Sequence, residues 1–120
     1  MKGLVEFKDS EGEVRLSCLF GMTAILAYCK HKDIKFNDLE KSLTGDNDLG
    51  VQMSNIVSLI YFSVKSYNTF KKTGIELTEE EVSLTLDAYG LLNDDNIKKF
   101  QTALYGGFEN VEQKKTEAAV

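Results

Sequence analysis

A chain of 120 residues and 13.4 kDa has room for one compact core and not for two. Apolar residues make up 42 % of it and charged residues 28 %, a globular balance that excludes disorder as the dominant state. The net charge of −5 has the wrong sign for a nucleic-acid footprint, and the pairs Lys71-Lys72, Lys98-Lys99 and Lys114-Lys115 are too few to make a basic stripe.

Cys18 and Cys29 are the two cysteines. Met1–Lys8 contains no apolar run of signal-peptide length, so reduced thiols in a cytosol are expected, each acting as a small hydrophobe. The longest apolar stretch, Val57–Val64, is interrupted by Ser58 and Ser63 and is too short to span a bilayer. The expected setting is soluble and intracellular.

Taken in chain order, Leu4–Phe7 and Val14–Cys18 alternate partially around Asp9-Ser10-Glu11-Gly12, which predicts a hairpin. A lone hairpin is marginal, so it must pack on something. A helix is predicted from Gly21, with Ile25, Tyr28 and Cys29 continuing a face begun by Met22 and with His31-Lys32 near its end. Asn37 reads as the N-cap of a short helix through Leu43, and Thr44–Gly50 as a loop. The longest helix is predicted over Val51–Lys71. Met53, Ile56, Val57, Ile60, Val64 and Tyr67 share one stripe, Leu59, Phe62 and Phe70 a second, and Ser63 and Ser66 lie between them; such a helix is expected to be central. Thr78-Glu79-Glu80-Glu81 is a capping box opening a helix whose buried face is Val82, Leu86 and Tyr89, stopped by Gly90. A last helix is predicted from Asn93–Asp95, with Ile97, Phe100, Ala103 and Leu104 inward and an end near Gly106-Gly107. The expected fold is thus mainly α: a small helical bundle with a short N-terminal β-hairpin, one domain over 1–111 and a flexible tail over 112–120.

Reactive chemistry is poorly served. One His and two Cys occur, without G-x-S-x-G or H-E-x-x-H, and Cys29 and His31, two apart on a helix, point in different directions. Cys18, Cys29 and His31 lack the paired spacing of a zinc site. Asp46–Gly50 differs from a calcium loop, whose Gly would come one position later and whose bidentate Glu would replace Val57. Helix capping accounts for Glu79–Glu81, and Gly106-Gly107 lacks the strand and Lys-Ser/Thr of a phosphate loop. No enzyme activity, metal or cofactor is expected. What remains is apolar surface: Leu19, Phe20, Tyr61, Phe62, Phe70, Tyr105 and Phe108 exceed what the main stripes require. The bland expectation is that most complete the core; the functional one is that Phe20, Phe62, Phe70, Tyr105 and Phe108 serve a partner.

At Leu19-Phe20-Gly21-Met22-Thr23-Ala24-Ile25-Leu26 the chain resembles the tail assembly chaperones of long-tailed (siphovirus-type) bacteriophages and prophages, which open with a short hairpin and a Phe-Gly-Met step into the first helix. The short helix ending at Leu43, the long apolar helix, the Leu77–Val82 helix start and the amphipathic Ile97–Leu104 follow in similar order, so the resemblance covers residues 1–108 as an arrangement. Thr23 departs from it, standing where many relatives carry a basic residue. The resemblance implies a chaperone that coats the aggregation-prone tape measure protein, keeps it soluble, helps tail tube protein assemble around it and then leaves. It also implies self-association into rings or helical arrays, and residence in the cytoplasm of the infected bacterial host rather than in the mature virion. A longer frameshifted form is implied too, with Lys114-Lys115 where a slippery adenine run would lie. The rival expectation is a small acidic helical adaptor or inhibitor that binds a folded phage or host protein.

Overall fold

In a computed structural model of the chain, residues 3–44 and 48–104 are described. The tail expected over 112–120, the helix end expected near Gly106-Gly107, and Tyr105 and Phe108 lie outside those residues. Strands β1 (Leu4–Lys8) and β2 (Val14–Leu19) form an antiparallel hairpin, followed by helices α1 (Met22–Lys32), α2 (Leu39–Thr44), α3 (Leu49–Lys71), α4 (Glu79–Ala88) and α5 (residues 94–104). The expected fold class, a helical bundle carrying an N-terminal hairpin, is the observed one.

The hairpin turn is organised by one carboxylate. Asp9 Oδ1 accepts from the amides of Glu11 and Glu13 at 2.9 and 3.0 Å, Oδ2 accepts from Arg15 Nε at 2.8 Å, and Gly12 takes the left-handed φ of +82° that closes the loop. The Arg15 hydrogen bond, with the two amides, holds the Asp9 carboxyl below its ordinary range. Val5 and Phe7 pair with Cys18 and Leu16, and these four side chains face the core. Gly3 joins the hairpin to the body: at φ +85° its carbonyl accepts from the Phe20 amide at 2.7 Å, and a Cβ there would lie 1.9 Å from the Phe20 carbonyl oxygen.

Helix α3 is the axis of the fold and packs against β2, α1, α2 and α4. At its middle, Ser58, Leu59, Ile60, Ser63 and Val64 are all buried. Small hydroxyls allow the close approach and are satisfied: Ser63 donates to the Leu59 carbonyl at 2.8 Å, and Ser58 donates to Glu79 at the start of α4. The capping box at Thr78 and Glu81 is formed as read. Helices α1 and α3 both end on non-glycine residues in the left-handed region, Asp33 and Lys72, with the amides of Ile34 and Thr73 returning to the carbonyls of Cys29 and Asn68.

Several local expectations are corrected. Asn37 sits inside a 3₁₀ turn, Phe36–Asp38, that leads into α2, so it caps nothing. The 44–50 stretch is shorter as a loop than expected, because Asp48 caps α3 by accepting from the Val51 amide at 2.8 Å, and Leu49 and Gly50 are already helical. Met22 does not share the buried face of α1, which consists of Ala24, Ile25, Tyr28 and Cys29. Tyr89 is exposed rather than buried, and the Arg15 guanidinium covers its ring at 4.2 Å from the centroid. Asn96, unremarked in the sequence, is a core residue. Its side chain accepts from the Lys8 amide and donates to the carbonyls of Lys8 and Leu91, tying α5 to the outer edge of β1.

Candidate partner-binding cleft

Three of the five aromatics expected to meet a partner, Phe20, Phe62 and Phe70, are among the described residues, and they occupy three different surroundings. Phe20 is in the core at 4 % exposure, its ring edge-on to Phe100 at 4.8 Å, because the Gly3–Phe20 hydrogen bond pulls that corner of the hairpin inward; it is unavailable to a partner in this conformation. Phe62 is half-buried between His31 and Tyr61, at ring distances of 5.4 and 4.9 Å. Phe70 is exposed, near the C-terminal end of α3, two turns beyond Phe62. Tyr105 and Phe108 are outside the described residues.

A different constellation forms a concave apolar site. The row Leu49, Met53, Ile56 and Ile60 has spacing 4-3-4 and therefore lies along one face of α3. Across from it, α5 presents Ile97, Phe100, Gln101 and Leu104 at helical spacing; these and Met53, Ile56 and Ile60 are walls of one cleft of about 90 Å³, and Leu49 lies outside the lining, one turn before Met53. Leu43 and Thr44 at the end of α2 contribute to it, as do Phe7 from β1 and Leu92 from the α4–α5 connection. Helix α5 stands at this distance because Asn93 caps it, accepting from the Asn96 amide at 2.9 Å, while Asn96 anchors it to β1.

Exposure along the α3 row is graded. Leu49 is 72 % exposed and Met53 37 %, Ile56 is half-buried, and Ile60 at 1 % belongs to the floor. Thr44 and Gln101 are the polar side chains of the lining, which includes no charged group among the described residues. Such a surface favours apolar side chains and offers nothing to orient a charged small molecule. Other exposed hydrophobics, such as Met22 and Leu26 on α1, Ile75 and Leu84, do not line this cleft and are of the ordinary surface kind.

The cysteines are free and buried; desolvation pushes both thiols up, Cys18 most strongly, which disfavours the nucleophilic thiolate. Among the described residues no group of three His, Cys, Asp or Glu is placed to hold a metal ion, and no helix is long and apolar enough to cross a membrane.

The sequence contained the signal for this cleft: Met53, Ile56 and Ile60 on one stripe, Ile97, Phe100 and Leu104 on another. Both stripes read as core, because periodicity says which residues share a face and not how completely that face is covered. Compared with known proteins, the chain matches no family model, no curated protein and no solved structure at the level of a significant similarity.

Proposed function

We propose that this chain is a non-enzymatic binding protein that receives an amphipathic helix of its client across the mouth of the cleft between α3 and α5, with an apolar side chain of that helix filling the cleft, and that it serves as a phage tail assembly chaperone whose client is the tape measure protein. The apolar row Met53, Ile56 and Ile60, facing the α5 row across an uncharged gap and continued along the helix surface by exposed Leu49, carries the reading. A helix laid there would bury Met53 and Leu49 against its own i, i+3, i+4 apolar positions, the helix-in-groove mode. Many such contacts along a long helical client, each modest, would protect it from aggregation and still allow release when tail tube protein arrives. The family assignment is supported by the Phe20-Gly21-Met22 step and by the order of hairpin and helices, and the site of action it implies is the host cytoplasm.

Co-production tests it. The client to use is a tape measure protein, identified as a very long helix-rich protein encoded beside this gene; co-produced with this chain, it should shift from the insoluble to the soluble fraction and purify with several copies of this chain. If the client stays insoluble while the chain instead forms a one-to-one complex with a folded enzyme, the chaperone reading is replaced by that of an inhibitor.

A further inference from the structure

The cleft between α3 and α5 is small, and its walls are fixed. At about 90 Å³ it is well below the apolar cavity of about 150 Å³ that admits benzene, so in proportion it holds about four heavy atoms. Its floor is core: Phe7 and Ile60 each keep 1 % exposure, and Leu43, Phe100 and Leu104 are buried with them. The Phe100 ring stands edge-on to Phe20 at 4.8 Å, and close packing there keeps it from swinging aside. Helix α5 cannot retreat without breaking the hydrogen bonds of Asn96 to the amide and the carbonyl of Lys8. The lining also rejects charge. Thr44 spends its hydroxyl proton on the Glu40 carbonyl at 2.9 Å, and an ionic group pushed inside would meet no charge of opposite sign.

We propose that the cleft is a socket of fixed size that takes one apolar side chain of about four heavy atoms (Leu, Ile or Met) and rejects Phe, Tyr and Trp; that this side chain belongs to a client helix rests on the binding reading above. A socket and an open apolar surface make opposite predictions. On an open surface, affinity rises with the apolar area buried, in the order Ala, Leu, Phe, Trp. In a socket that cannot widen it peaks at Leu and falls for the larger rings, because overfilling forces packed walls out of place. Size is then the basis of selectivity: a client helix is engaged at its Leu, Ile and Met positions, and its aromatic positions are passed over.

The test uses the full chain and a synthetic amphipathic helix whose central apolar residue is Ala, Leu, Phe or Trp. The Leu helix should bind at least about ten-fold more tightly than the Ala and Trp helices. Ile56→Ala removes three carbons from a half-buried part of the wall, the difference between a Leu and a Phe side chain, so that variant should prefer the Phe helix. The ranking on the unaltered protein decides the matter even if that variant does not fold. Xenon, an apolar probe that needs no helix, should give saturable shifts at the Met53, Ile56 and Ile97 methyls of the unaltered protein. Affinity that rises from Leu through Phe to Trp, or a folded Ile56→Ala protein that still prefers Leu, overturns the socket. So does xenon that leaves those methyls unmoved. If xenon binds there and no helix of the series does, the client reading fails while the socket stands.

Discussion

Along α3, the segment from Ser58 to Val64 and the segment from Leu49 to Ile56 carry the same kinds of side chain under opposite conditions. In the first, Leu59 and Ile60 keep 0 and 1 % of their surface exposed, and even the serines are enclosed. In the second, two turns earlier on the same face as Ile60, Met53 keeps 37 % and Leu49 72 %. Hydrophobicity does not separate the two. Coverage does: β2, α1, α2 and α4 pack on the helix and leave Ser58 to Val64 enclosed, whereas Met53 and Ile56 line a gap between α3 and α5. An apolar row becomes core or docking surface according to what the chain lays across it.

The sharpest way to break this contrast is alkaline titration. Burial raises the Cys18 thiol far above its ordinary 9.0, and it raises Tyr28 and Cys29 as well, so the folded state holds these protons more tightly than the unfolded chain does. Their contribution to stability is complete below the unfolded values and disappears as pH rises through the folded ones. Urea midpoints should hold steady near neutrality and fall steadily above pH about 9, to outright unfolding. The cleft lining includes no ionisable side chain among the described residues, so client affinity should be flat between pH 7 and pH 9 by about a factor of two. Parallel loss of both would mean that the cleft and the core are not separate.

Truncation of the enclosed segment comes next. Leu59→Ala should destabilise by about 3 kcal/mol in urea unfolding, since a side chain with no exposure leaves a cavity. Asn96→Ala strips partners from the amide and carbonyl of Lys8 and the carbonyl of Leu91, and about 2 kcal/mol should be lost. Hydrogen exchange at Lys8 in that variant should speed up if α5 detaches from the hairpin. Thr78→Ala removes the cap of α4 for about 1 kcal/mol. Smallest is Met53→Ala, under about 1 kcal/mol on stability by the same assay; its effect belongs on client binding. A loss at Met53 as large as that at Leu59 would erase the distinction between the two segments.

Local chemistry was the legible part of this fold. Asp9–Gly12 announces a turn and Thr78–Glu81 a helix start, because the groups that satisfy each other are within six residues. Asn96 was not legible: its partner Lys8 lies 88 positions away, and an Asn on a polar-looking helix face reads as solvated. Gly3 was equally silent, since only the Phe20 carbonyl beside it shows why a side chain is forbidden. Tyr89 was placed inside by spacing and is held outside by Arg15. Aromatic surplus pointed at Phe20 as a partner residue when it was finishing the core against Phe100. The cleft fell between these cases. Both of its walls stood in the sequence as stripes, and the distance between them was set by Asn93 and Asn96, which no stripe records.

The most direct test is a methyl-detected titration of the full chain with a synthetic amphipathic helix cut from the client. The account predicts saturable shifts at the Met53, Ile56 and Ile97 methyls, little change at Met22, Leu26 and Leu84, and loss of binding in a folded Met53→Asp variant. Saturable binding that leaves Met53 and Ile97 unmoved, or a Met53→Asp protein that binds as the wild type does, would contradict it.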